Sequence, residues 1–390
     1  MKTAGSAGLS ELLYLLRDGQ PHTRMELAGL TGLSRSTVST RIETLTELRL
    51  VSPVANAIST GGRPSAQISL DLHSRVVGAV DVGATHVTIA LANLRGTILS
   101  ETTARIEVAR GPLEVLGLVV DSLTDLMMNL GRKEQELLGI GIGLPGPVEH
   151  SSGRPSNPPI MPGWDDFDVP REVQQRFPVP VLVDNDVNIM ALGEWAVRNG
   201  TADNLVFLKV ATGIGAGIIS GGELRRGAQG IAGDIGHIPI PQGAGIDCRC
   251  GNTGCLEAVA AAPAIINGLR EAGVEVDTTD DVAKLVSEGH LQTIAAVRQA
   301  GRDIGDVVGI CVSVINPSLI VVGGSLSQVG DLLLAGIREV VYSRSMPLAT
   351  RHLMIERSTM GSGAGVVGAS IMAVEAALST PRIEAMIASA

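Results

Sequence analysis

One local design occurs twice in this 390-residue chain, and that repetition constrains the fold more than any other feature. Residues 77–99 read VGAVDVGATHVTIALANLRGTIL, and residues 204–227 read NLVFLKVATGIGAGIISGGELRRG. Each holds two short apolar runs around a glycine-rich turn, the pattern of a buried strand, a tight loop and a second strand. Two such units predict two lobes of related plan facing one cleft. Composition agrees: hydrophobic residues are 45% of the chain, which excludes disorder as the default state, while aromatics are only 2% and glycines number 48. The core must be aliphatic and the turns tight, so the fold class is α/β and not an all-β sandwich. The length calls for two or three domains.

Further strands deliver polar groups to their carboxyl ends, where open α/β sheets bind ligands. LLGIGIGLPGPV runs into a loop at Pro145 and Gly146. VPVLVDNDVN brings Asn185 and Asp186 to the start of a helix from about Val187. A carboxylate at Asp186 can act as a base towards a substrate hydroxyl; its alternative is plain N-capping of that helix. In the repeated loops, Asp81, Gly83 and Thr85, with Thr212 and Gly213, can hold a metal-phosphate group against backbone N–H groups. Taken alone, the first of these loops reads more simply as a hairpin with an Asp-Gly turn. Later segments predict a helix, then a strand ending at Gly323-Gly324, and further helices at 328–342 and 361–378.

Residues 1–75 differ from the rest. They carry net charge +2 in a chain of net charge −10, so a mildly basic head sits on an acidic body. A leucine-rich helix over 9–16 stops at Asp18-Gly19, a second helix covers 24–31, and Gly32-Leu33-Ser34 turns into a third that runs to about Leu48 with Ser34 as N-cap. Val38, Ile42, Leu45 and Leu48 share one face of the third helix; Arg35, Ser36, Thr37, Thr40 and Arg41 occupy the other. Arginines and small hydroxyls suit phosphates and base edges, the arrangement of a helix-turn-helix. Two strands follow, LVSPVANAIS and AQISLDL, with Arg63 on a Gly-Gly-Arg-Pro wing tip. The alternative is a three-helix packing unit with an ordinary polar face.

The most specific signal is Cys248-Arg249-Cys250-Gly251-Asn252-Thr253-Gly254-Cys255, with His237 before it and Glu257 behind. Three thiolates and one imidazole form the tetrahedral set of a structural zinc site, closed to catalysis because the protein fills all four places. Cys311 falls in an apolar helical segment and belongs with the core. No signal peptide opens the chain and no uninterrupted apolar span is long enough for a membrane, so the expectation is a cytoplasmic protein without membrane contact.

DVGAT, the NDVN…GE stretch at 185–194, ATGIGAG, GIAGDIGH and CRCGNTGCLE, together with the N-terminal helix-turn-helix, resemble the ROK family of repressors and sugar kinases. The likeness covers essentially the whole chain, and the fused head resembles the repressor branch. It implies a winged helix-turn-helix over 1–75 and a two-lobed actin-like fold: a small lobe over 76–190, joined by a C-terminal helix of about 361–390, and a large lobe over 191–360 bearing the zinc site. It further implies a sugar bound by Asn185, Asp186, Asp234 and Glu257 with the Pro145/Gly146 loop, Asp186 being the catalytic base if phosphorylation occurs. Two departures stand out. Asp234 replaces the family's usual Glu, and Ala84 and His86 stand where kinases of the family have Gly and Lys. The expected function is a sugar-responsive DNA-binding repressor acting as a homodimer or homotetramer on an operator. The alternative is an ATP- and magnesium-dependent hexose kinase with a DNA-binding head.

Overall fold

The computed structural model describes residues 7–54, 66–198 and 200–389. Helices Ala7–Leu16, Arg24–Thr31 and Arg35–Glu47 form the head. Thr23 and Glu26 cap the second helix reciprocally: Glu26 N donates to Thr23 Oγ1 at 3.2 Å, and Thr23 N donates to Glu26 Oε2 at 2.7 Å. Gly32, with φ 69°, ends that helix in the left-handed region. Ser34 caps the third by accepting from Thr37 N at 3.1 Å. Strands Val51–Val54 and Gln67–Leu70 pair antiparallel as expected, and a two-residue strand, His22–Thr23, too short to show alternation, adds to the other edge of Gln67–Leu70. The wing tip at 60–64, and with it Arg63, lies outside the described residues.

The two repeated units grow into sheets of one topology. The first contains, in chain order, Val76–Val82, His86–Ala92, Ile98–Arg105, Leu137–Leu144 and Val181–Asn185; the second contains Asn204–Val210, Ile214–Ser220, Glu223–Leu224, Leu319–Gly323 and Met354–Arg357. In space both run third, second, first, fourth, fifth, with an antiparallel meander on one side and parallel strands on the other. This is the two-lobed actin-like architecture.

Helices Asp186–Val197 and Gly363–Ala377 cross between the sheets with backbone touching backbone. A Cβ on Gly368 would lie 1.6 Å from Ile189 O, and one on Gly193 would lie 2.1 Å from Ala364 O. Only glycine fits there. The C-terminal segment is two helices and not one: Gly363–Ala377 and Thr380–Ser389 meet at a 60° bend. No single described helix is long and apolar enough to cross a membrane.

The head is not hung on a free linker. Its buried leucines form one apolar cluster with Val77, Ala92, Leu94 and Leu138 of the first sheet and with Val374, Ala377, Leu378 and Ile383 of the C-terminal helices. Arg75 bridges the junction, with Nη2 donating to Leu48 O at 2.8 Å and Nη1 donating to Gln135 O at 2.5 Å.

Candidate functional site

A cleft opens where the carboxyl ends of both sheets face each other, lined among others by Gly146, Asn185, Asp186, Lys209, Asp234 and Glu257. Asn185 ends its strand and N-caps the following helix, accepting from Val187 N at 2.9 Å while its Nδ2 donates to Gly146 O at 2.7 Å. The cap is therefore Asn185, and Asp186, the first helical residue, turns its carboxylate into the cleft. On the second lobe, Glu257 accepts from Ile214 N at 3.1 Å. Gly213 permits that contact, since a Cβ there would lie 2.6 Å from Glu257 Oε2.

The phosphate reading of the loops is narrowed by these contacts. Ile214 N serves Glu257, Ala211 N donates to Gly213 O at 2.9 Å and Ala216 N to Gly233 O at 2.8 Å, so the loop offers fewer amides than its glycines suggest. In the first loop Gly83 N donates to His86 O at 2.8 Å, closing a tight hairpin, and the His86 imidazole lies over Gly83. Asp81 sits against Gly365 at the start of the helix Gly363–Ala377. Enclosure pushes the Asp81 carboxyl up to about 7, against the pull of Lys209 and with the push of Asp186.

Sequence reasoning missed three charged groups. Lys209 Nζ pairs with Asp186 across the cleft. Burial alone would depress the ammonium, but Asp186, and then Asp81, hold it above the ordinary lysine value. Beneath the cleft Asp184, 1% exposed, accepts from Asn188 Nδ2 at 2.7 Å and from Arg226 Nε at 2.6 Å, which ties the first sheet to the loop after the second sheet's meander. A polar residue inside an otherwise apolar strand was the available signal for both Asp184 and Lys209.

His237, Cys248, Cys250 and Cys255 converge, with ligand atoms all within 4.8 Å of one another. Cys250 Sγ and Cys255 Sγ are 3.7 Å apart, and Cys248 Sγ is 3.6 Å from His237 Nδ1. A tetrahedral ion about 2.3 Å from each sulfur requires sulfur–sulfur edges of about 3.8 Å, so the donor set fits such a metal. Burial and then the neighbouring thiols push the Cys255 thiol up to about 12. His237 Nε2 faces the other way, 3.9 Å from Asp234 Oδ1. The cluster thus abuts the cleft. Cys311 stands apart, packed against the core of the second lobe.

On the head, Arg35, Ser36 and Thr40 are exposed and Thr37 is half-buried, its hydroxyl 2.8 Å from that of Ser34. Arg41 differs from expectation: its guanidinium packs against Gly8 of the first helix, and Nη1 is buried with no hydrogen-bond partner among the described residues. The polar face is narrower than the sequence predicts.

A family model described as the ROK family matches residues 77–376. The chain belongs to the ROK family. A second model, a bacterial regulatory protein of the arsR family, matches residues 10–52, the helical part of the head. The xylose repressor of Caldicellulosiruptor bescii is 31% identical to this ROK chain, covering 96% of it and 97% of the relative. A glucokinase of Halalkalibacterium halodurans is 30% identical but covers only 74% of the chain, against 92% of its own length. Among solved structures, a ROK family transcriptional regulator homologous to the E. coli MLC protein superimposes over 100% of both chains with a TM-score of 0.85 at 24% identity, which establishes the fold of head and body together.

Proposed function

We propose that this ROK protein is a sugar-responsive DNA-binding transcriptional regulator, a repressor of carbohydrate genes. Asn185, Asp186, Asp234 and Glu257, with the Pro145/Gly146 loop, bind the sugar between a small lobe (76–190 with the C-terminal helices) and a large lobe (191–360). The cysteine–histidine cluster carries structural zinc, which fixes the segment bearing Glu257. Arg35, Ser36, Thr37 and Thr40 face DNA, joined by Arg63 on the wing; Arg41 serves the head's own packing. The observation that carries the reading is the shared core: the helix Gly363–Ala377 starts against Asp81, crosses the helix that begins with Asp186, and ends among the head's leucines. Lobe closure on a sugar then moves the head. Two heads in a homodimer, held about 34 Å apart, read an operator only in one geometry.

A thermal-shift panel of pentoses and hexoses, followed by titration of each hit against duplexes selected from a random library, tests this. The expected result is a sugar that changes DNA affinity about tenfold or more. Arg35→Ala should weaken DNA binding about tenfold while leaving the sugar shift intact. DNA affinity indifferent to every binding sugar would overturn the reading, as would brisk ATP-dependent sugar phosphorylation by a chain that ignores DNA.

A further inference from the structure

Asp186, at the head of its helix, lines the cleft, and its charge pushes up the carboxyl of Asp81 on the strand Val76–Val82. Such a pair ordinarily needs a cation between its members, and a divalent ion bridging to phosphate oxygens is the usual one. Here the cation is part of the chain. Lys209 reaches over from the strand Asn204–Val210 of the second lobe, with its side chain 21% exposed, pairs with Asp186 and acts electrostatically on Asp81 as well. From the first lobe, the His86 imidazole covers Gly83, the point at which the hairpin backbone is barest.

We propose that Lys209 is a resident cation that takes the place of a divalent metal between Asp81 and Asp186, so that the cleft excludes metal–nucleotide complexes while keeping its sugar-binding groups. The residue determines what the site accepts. A sugar meets Asp186 already paired with the Lys209 ammonium, a fixed acceptor for a hydroxyl and not a free base. Because the same ammonium spans the lobes, the cleft needs no metal–nucleotide to hold its charges together. This rests on the sugar-pocket reading above only for the identity of the neutral ligand; the exclusion of metal and nucleotide stands on the charges alone.

The test compares full-length wild type, Lys209→Met and Lys209→Arg by calorimetry with Mg²⁺ alone and with Mg²⁺·AMPPNP, and by melting with and without Mg²⁺. The methionine keeps the stem and removes the charge. Lys209→Met should bind Mg²⁺·AMPPNP at least about tenfold more tightly than wild type and gain melting temperature on adding Mg²⁺, whereas Lys209→Arg should behave as wild type. Equal responses in wild type and Lys209→Met, whether strong or undetectable, overturn the proposal, and so does an arginine variant that admits the nucleotide. If Lys209→Met does not fold, Mg²⁺-dependent AMPPNP binding by wild type is itself decisive against it, and Lys209→Met folding only when Mg²⁺ is supplied supports it. Sugar and DNA titrations on the same samples are read separately, so a failed regulator reading leaves this result interpretable.

Discussion

The two lobes share one strand order but have spent their glycine loops differently. In the first lobe the loop after Val76–Val82 is a closed hairpin covered by its own His86, and its one strong ligand, Asp81, faces inward to a helix terminus and a lysine. In the second lobe the loop after Asn204–Val210 gives an amide to Glu257, whose segment is tethered by the cysteine–histidine cluster. Repeated topology therefore does not mean repeated chemistry. The sheet dictates where a loop stands, and the few side chains leaning on the loop decide what remains free to bind.

The largest test of that contrast is to disrupt the cysteine–histidine cluster, a donor set that only the second lobe has among the described residues. Cys255→Ser should abolish stoichiometric zinc and lower the melting temperature by on the order of 10 °C, with hydrogen exchange rising around 238–257 and unchanged in the first sheet. Uniform loosening of both lobes would remove the asymmetry. Next comes Asp81. Burial pushes its carboxyl up to about 7 in the folded chain from an ordinary 3.8, so between those pH values the folded chain holds a proton that the unfolded chain has released. Stability should fall as pH rises from about 4 to about 7 and flatten above. Asp81→Asn should abolish that slope and gain about 4 kcal/mol at pH 8 relative to pH 4 in urea denaturation.

Smaller effects separate the two loops directly. Gly213→Ala drives a Cβ against the anchored Glu257 carboxylate, and sugar affinity should drop about tenfold, roughly 1.4 kcal/mol. Gly83→Ala meets only the His86 side chain, at 2.8 Å, which can swing away. Its effect on sugar affinity and melting should stay below about 0.5 kcal/mol. Equal costs in calorimetry and melting would mean that the loops are not specialised as described.

The lobes were legible in the sequence because buried parallel strands are unbroken aliphatic runs, and the cysteine cluster because its donors are near neighbours in the chain. Asn185 and Asp186 were legible as a strand-end pair, although which of them caps the helix was settled by a single contact, Val187 N to Asn185 Oδ1. Lys209 was not, since its partner Asp186 lies 23 residues away and only the closure of the two lobes unites them. Arg41 was misplaced for a different reason. It lies three residues after Val38 and four before Leu45, on the margin of the buried face, where a long side chain can fold back on its neighbour. The shared core of head and body was invisible because each apolar stripe looked complete on its own element.

Where Gly193 and Gly368 let two helices meet without side chains between them, nothing soft remains to absorb a displacement. The crossing acts as a fulcrum, and the 15-residue helix Gly363–Ala377 is a lever roughly 22 Å long. A tilt of a few degrees at the ligand end becomes an ångström or so at the far tip, enough to swing a docked recognition element out of step with the pitch of a duplex.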